Sequence, residues 1–339
     1  DIYLNDTFFN SLKEDYPGFN AWFEKKSKDN SEAYVQYTND NLQAFLYLKN
    51  ESGEALTDIT PIRPACNRLK VGTFKIDAHN TKLGERFVKK ILDTALDMKA
   101  EEIYVTIYPK HEGLIRILQR YGFNEEGKKG EELVLVKNMK ILTGDILKDF
   151  PLLTTKDKRK FLLSIYPKYH TKMFPDSILR NEESKKYELV KDVSYTNSIH
   201  KVYLCFMSDT AKLQRGDIIA IYRTKDDKGS ARYRSVITSI CQIEEVKTNK
   251  DFATVEDFLA YTNFYSIFDS EELKQWYQQK NCYILKMTYN IALTKRVTNG
   301  YLVDNLNMSP KYWGFFQLTD EQFDAILKKG EVDEGVIID

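Results

Sequence analysis

The chain has 339 residues, 42% of them hydrophobic and 29% charged, which suits a protein with a real buried core and favours about two domains. Fifty basic and fifty acidic residues cancel, excluding any global attraction to nucleic acid or to an anionic membrane surface. No apolar run is long enough to cross a bilayer and no secretory leader is legible, so a cytoplasmic protein without a membrane partner is expected, its start at Asp1 read as a processed or trimmed end.

In chain order, "NDTFFNSLKEDYPGFNAWFEKKS" reads as one or two helices broken at Pro17-Gly18. "EAYVQYT" and "LQAFLYLKN", separated by "NDN", read as a hairpin, and "KVGTFKID" as another strand. From Gly84 the period changes: Phe87, Val88, Ile91, Leu92, Ala95 and Leu96 recur at three and four residues, the stripe of an amphipathic helix. "EEIYVTIY" is the next strand, "EGLIRILQRYGF" a helix stopped by Gly122, and "GFNEEGKKGEELVLVKN" two strands about a glycine turn.

Residues 141–192 combine dense charge with Pro151, Pro167 and Pro175, and with too many aromatics for a slack linker. They read as an ordered strap between two domains, in which Tyr166, Tyr169, Phe174 and Ile178 gather around two prolines and His170 is a structural histidine rather than a ligand or a catalytic base, since nothing at the right spacing accompanies it. From Val193 the pattern is β-rich: "HKVYLCFM", "DIIAIYR", "YRSVITSICQIEEV" and "CYILKMTY". Three helices carry N-cap signatures, Thr254 with Asp257, Asp269 with Glu272 and Thr319 with Gln322. Strands interrupted by short helices suggest a small α+β barrel. Trp313 in "SPKYWGFFQL" is either a core plug or a stacking platform.

Charge is uneven along this second half. Residues 141–235 carry 19 Lys and Arg against 12 Asp and Glu, whereas residues 236–339 carry 10 against 16. A basic stretch suits phosphate, although solvated lysines produce the same count. Cys66, Cys205, Cys241 and Cys282 form no CxxC pair and lack a histidine at metal spacing. They read as reduced, mostly buried small hydrophobes, with no metal expected.

With strand, turn, helix, strand, helix and Gly122-Phe123 in that order, the segment from Asp1 to Lys140 resembles the GNAT acetyltransferase family. In that family a Q/R-x-x-G-x-G/A loop holds the pyrophosphate of acetyl-CoA at a helix N-terminus, where unpaired N–H groups and the helix dipole favour an anion. Here the loop maps to His79, Asn80, Thr81, Lys82, Leu83 and Gly84: the last glycine is kept, Lys82 replaces the first, and Arg86 adds a second positive charge. The resemblance implies acetyl-CoA as cofactor, with pyrophosphate contacts from Lys82, Leu83, Gly84, Glu85 and Arg86, and backbone near Phe74 and Ile76 placing the pantetheine and carbonyl. The family's general acid, a tyrosine four residues before the glycine, is Leu118 here, and its usual asparagine at the helix start is His111. Either Tyr121, Tyr108 or His111 acts in its place, or the domain binds its cofactor without fast turnover. Glu51 and Asp58 are candidate bases.

"LQRGDIIAIYR" followed by "YRSVITSICQIEEV" resembles the PUA-like superfamily, especially its ASCH and EVE branches, over about Tyr195 to Leu327. That resemblance implies binding of RNA or a modified nucleobase by Asn197, Ser198, Lys201, Arg223, Tyr233 and Arg234, since cations meet phosphate and planar side chains stack on bases. These tyrosines could equally pack barrel walls. The expected architecture is α/β (α+β): a GNAT-like mixed sheet over 1–140, the strap, and a PUA-like small β-barrel with inserted helices over 193–339. Together the halves imply an N-acetyltransferase acting on an amine carried by RNA, a nucleobase or an aminoacyl-tRNA. A weakly catalytic reader of modified nucleobases, and an acetyltransferase for protein or small-molecule amines, remain open.

Overall fold

A computed structural model describes residues 2–77, 82–177 and 198–339. The chain divides into two compact units, Asp1–Lys140 and Ile141–Asp339.

In the first unit six strands lie in the order β1-β2-β3-β4-β6-β5, with β1 at Tyr34–Thr38, β2 at Asn41–Asn50, β3 at Arg68–Ile76, β4 at Glu102–Ile107, β5 at Asn124–Lys129 and β6 at Glu132–Asn138. Helices α1 (Asn10–Asp15) and α2 (Phe19–Lys28) flank the Pro17-Gly18 break. They bury an aromatic cluster on β2, where the ring of Phe9 lies 5.6 Å from Phe19, 5.4 Å from Phe23 and 5.3 Å from Phe45. Helix α3 (Leu83–Asp97) buries Phe87, Val88, Ile91, Leu92 and Ala95, the stripe that its 3.6-residue period predicts. Helix α4 (Glu112–Arg120) ends before Gly122, whose φ of +87° supplies the left-handed turn into β5.

One position bends this sheet. Tyr47 pairs with Thr73 and Leu48 with Val71, so Gly72 is the extra residue of a bulge in β3. A bulge bends its strand and raises the local twist. The parallel pairing of β3 with β4 runs from Arg68–Glu102 to Val71–Val105 and ends there. Beyond it β3 continues with β2 as far as Ile76, and β4 with β6 as far as Ile107. The two central strands therefore diverge from Gly72 onward.

The second unit holds a six-stranded sheet ordered β12-β7-β9-β10-β11-β8, built from β7 (Lys160–Ile165), β8 (His200–Cys205), β9 (Ile218–Arg223), β10 (Val236–Thr248), β11 (Tyr283–Thr298) and β12 (Phe315–Leu318). Two expectations are corrected here. The sheet is open: among the described residues no pairing joins its edges β8 and β12 into a barrel. Instead β8 buries Val202 and Leu204 against Phe258 and Leu273 of the helices Val255–Thr262 and Ser270–Tyr277. The segment set apart as a strap contributes β7, an interior strand parallel to β9 and antiparallel to β12. Its run Phe161, Leu162, Leu163 is buried on both faces, the pattern of an interior strand, which charged flanks obscured in the sequence. The predicted N-caps form: Thr254 accepts from the Asp257 N–H, and Asp269 and Thr319 make full capping boxes.

A Cβ at Gly72 would lie 2.8 Å from the Tyr47 ring, closer than packed atoms tolerate. Gly72→Val is expected to destabilise the first unit by about 1–3 kcal/mol, read as a lower urea midpoint. An unchanged midpoint would show that the bulge is not packed this way.

Candidate functional site

Divergence of β3 and β4 opens a cavity of about 1050 Å³, walled by Gly72–Ile76, by Val105–Tyr108 and by α1 with the start of α2. The Asp77 N–H bonds to the Gln43 carbonyl on β2. In an antiparallel ladder, bonding alternates from residue to residue, so the N–H and C=O groups of Ile76 and Phe74 turn toward the gap. These are the two residues expected to offer backbone groups there. The Phe74 ring itself packs away from the gap, stacked 6.1 Å from Phe87.

The N-terminus of α3 stands at one end of this gap. Its N-cap, Lys82, makes no side-chain cap, so no N-cap side chain bonds the first-turn N–H groups. Gly84 lines the cavity, and its missing Cβ also makes room for α4, since an added carbon would lie 2.7 Å from Ile117 Cδ1. Glu85 turns inward, accepting from the Tyr121 hydroxyl at 3.0 Å and facing Arg120 at 3.5 Å; only its backbone remains for the gap. Arg86 carries a buried Nε with no hydrogen-bond partner among the described residues, and burial pulls its pKa down. Lys82 is also desolvated, its amine drawn down to about 8 by burial although Glu85 opposes the shift. As helical side chains lean toward the N-terminus, Lys82 and Arg86, four residues apart, share one face at this corner. His79, Asn80 and Thr81 of the expected loop lie outside the described residues.

The opposite end is polar and aromatic. His111, the N-cap of α4, bonds through Nε2 to Asp15 Oδ2 at 3.0 Å, and Asp15, its side chain 7% exposed, also pairs with Lys110. The Tyr16 hydroxyl donates to Glu132 Oε1 at 2.9 Å, and its ring lies 5.3 Å from Tyr108. Burial, followed by the charge of Glu132, raises the Tyr16 pKa far above its ordinary value, so the phenol remains a donor. Of the three candidate acids, Tyr108 and His111 line the cavity. Tyr121 does not: it is fully buried and bonded to Glu85, as is fitting for the apolar face of a helix end. Leu118 is likewise buried. Glu51 and Asp58 stand elsewhere, Glu51 bonded to Lys49 at 2.7 Å and Asp58 to Lys129 at 2.5 Å. Asp15, Tyr16 and Glu132 escaped sequence reasoning. Their signals were slight: a polar pair just ahead of a Pro-Gly break, and an acid opening an apolar strand.

In the second unit the expected nucleic-acid residues do not share one surface. Asn197 lies outside the described residues. Ser198 is buried and donates to the His200 carbonyl at 2.6 Å. Lys201 is buried with its ammonium 5.3 Å from the Tyr289 ring. Arg223 is 1% exposed, whereas Tyr233 is 72% exposed, and Arg234 is ion-paired with Asp226. Lys201 and Arg223 approach a buried polar cluster centred on His170 and Ser177. His170 Nε2 meets Thr238 Oγ1 at 2.7 Å, and Ser177 Oγ meets Ser239 Oγ at 2.9 Å and the Tyr289 hydroxyl at 2.7 Å. These bonds tie residues 167–177 to β10 and β11. Trp313 stacks 5.5 Å from Tyr222 beside Phe316, a packing role. Among the described residues no three of His, Cys, Asp and Glu converge on a possible metal position, all four cysteines are free thiols, and no helix is long and apolar enough to cross a membrane.

No protein-family model and no curated protein sequence matches the chain. Solved structures similar to it fall into two groups. One includes an ASCH protein from Zymomonas mobilis (8% identity, 51% of this chain and 96% of that chain, TM-score 0.35) and human THYN1 in complex with 5-methylcytosine DNA (12% identity, 52% and 99%, TM-score 0.28). The other includes the PaiA N-acetyltransferase of Thermoplasma acidophilum in complex with coenzyme A (13% identity, 40% and 80%, TM-score 0.28).

Burial, with a smaller push from Arg223 and Arg296, pulls the His170 imidazole from 6.5 to about 3. The unfolded chain therefore binds a proton that the folded chain refuses between those values, and stability falls as pH drops through that window. His170→Gln lacks this component, so its Tm difference from wild type should narrow as pH falls from 6.5 toward 3. A constant difference would refute it.

Proposed function

We propose that the chain is an acetyl-CoA-dependent N-acetyltransferase whose acceptor amine is carried by RNA, the second unit binding the nucleic acid. One observation carries the reading: β3 leaves β4 after Val71, turning the backbone groups of Phe74 and Ile76 into a gap that ends at the N-terminus of α3, where the N-cap Lys82 makes no side-chain cap. A strand edge of this kind accepts an extended amide chain by β-type pairing. A helix N-terminus beside a desolvated lysine and a guanidinium Nε that has no hydrogen-bond partner among the described residues suits phosphate. The charge and donor groups of those residues fit the phosphates of acetyl-CoA.

When bound, acetyl-CoA supplies an acetyl group activated as a thioester. The chain's residues then have separable tasks. Phe74 and Ile76 backbone groups orient the extended arm. Lys82, Arg86 and the first-turn amides hold the phosphates. His111, with Nε2 committed to Asp15, keeps Nδ1 as its basic atom and takes the proton that an attacking amine must lose. Tyr108 is the phenol beside the same end of the gap and returns a proton to the departing sulfur. The basic count of residues 141–235 supports phosphate contact by the second unit.

Calorimetric titration of acetyl-CoA tests this reading. Micromolar binding is expected, weakened about tenfold by Arg86→Ala, the cost of one charge-assisted hydrogen bond. Affinity should also fall as pH rises through 8, where Lys82 loses its charge, and Lys82→Met should flatten that dependence. No binding by the wild type would overturn the proposal.

A further inference from the structure

Four carboxylates line the cavity: Asp15, Asp77, Glu112 and Glu132. Three already have a cation: Asp15 pairs with Lys110, Asp77 with Lys75 at 3.3 Å and Glu112 with Arg116 at 3.5 Å. Glu132 has none among the described residues. Its recorded partner is the Tyr16 hydroxyl, on Oε1. The sheet register explains its position. Ile107 of β4 faces Leu133 of β6, so the next residues along those strands, Tyr108 and Glu132, flank the mouth of the gap together. Tyr16 completes the group by touching both, bonded to Glu132 and set 5.3 Å from the Tyr108 ring. A carboxylate with two phenol rings beside it, inside a cavity, is the chemistry that recognises an alkylammonium ion: one charge-assisted bond, the Tyr16 ring, and the face of Tyr108 opposite the Lys110 ammonium, which lies 5.8 Å from that ring's centre.

We propose that Glu132, with Tyr16 and Tyr108, is the acceptor subsite, and that it selects a basic alkylamine bound as its ammonium form over a neutral exocyclic amine of a nucleobase. The inference rests on the acetyltransferase reading for its meaning but not for its test. Of the two acceptors that RNA could present, it singles out the α-amino group of an aminoacyl ester. Such an amine is protonated near neutral pH and meets Glu132 as a cation. The exocyclic amine of cytosine or adenine is uncharged and offers the carboxylate only a neutral donor. Tyr16 serves as a positioning residue: its desolvated phenol stays protonated and fixes Oε1, leaving Oε2 for the ligand.

The test uses the full chain and two probes, an aminoacylamido-adenosine with a free α-amino group and cytidine, each followed by NMR titration with and without acetyl-CoA. Glu132→Gln is the informative variant, because its amide oxygen still accepts from Tyr16 while the charge is gone. The expected result is that wild type binds the aminoacyl probe in preference to cytidine. Glu132→Gln should bind that probe roughly 10- to 100-fold more weakly, with unchanged Tm and unchanged acetyl-CoA affinity. Tyr108→Leu should weaken the same probe by a smaller factor. Equal binding of the probe by wild type and Glu132→Gln, or preference for cytidine, would overturn the inference while leaving the acetyltransferase reading standing. Loss of acetyl-CoA binding in the wild type, with probe binding still dependent on Glu132, would overturn the enzyme reading and leave an ammonium site.

Discussion

The parallel pairing of β3 with β4 is the constraint on which the first unit turns. It is clamped at one end and released at the other. At the closed end Glu102 accepts from Arg63, at 2.6 Å on one oxygen, and from Arg68, whose side chain is almost wholly buried. Burial pushes the Glu102 pKa up, but the bonds from Arg63 and Arg68 more than offset it and hold the carboxyl below its usual range. Removing Glu102 would leave the buried Arg68 guanidinium without its carboxylate, at a cost of about 3–5 kcal/mol. At the other end Gly72 adds one residue to β3, and the pairing stops. A clamp followed at once by a bulge makes a fixed wedge, so the cavity is a consequence of the sheet rather than of the loops.

Elements of different origin then give the wedge two chemically unlike ends. Helix α3 brings cationic groups and the positive end of its dipole, a combination suited to phosphate. Helix α1, the start of α4 and the start of β6 bring Asp15, His111 and Glu132, a combination suited to amine and proton. Lys75 links the N-terminal segment to β3, donating to Ser11 Oγ at 2.8 Å and to the Phe8 carbonyl. That attachment keeps Asp15 and Tyr16 at the cavity rim, although both precede the sheet in sequence.

The second unit places its polarity differently. Its sheet buries all of β9 and most of β7 and β10, and its inner hydroxyls are linked by hydrogen bonds to one another and to the His170 imidazole. A buried polar network of this kind is stable only when nearly every member is satisfied, and it fixes the register of residues 167–177 on the sheet. The same burial explains why Lys201 and Arg223, both expected to meet nucleic acid, are interior residues: each lies in a strand whose six positions are all buried.

The elements were legible because their causes are local. Hydrophobic period marked α3, turn chemistry marked Gly122 and Pro17-Gly18, and capping pairs marked the helices after Thr254, Asp269 and Thr319. That the backbone groups of Phe74 and Ile76 face the gap follows from the β2–β3 register, whereas the role expected of them came from the family resemblance. What the sequence could not hold is which strands are neighbours. The charged flanks of Lys160–Ile165 hid an interior strand because its burial depends on β9 and β12, more than 50 residues away. Tyr121 read as a catalytic phenol, yet the side of α4 that it caps faces Glu85 across the packing of α3. The contact of Asp15 with His111, and of Tyr16 with Glu132, joins residues separated by 96 and 116 positions. Periodicity and capping act within a few residues, so one sequence suffices to read them. A binding site is a coincidence of distant side chains, and only the closed tertiary structure decides which of them meet.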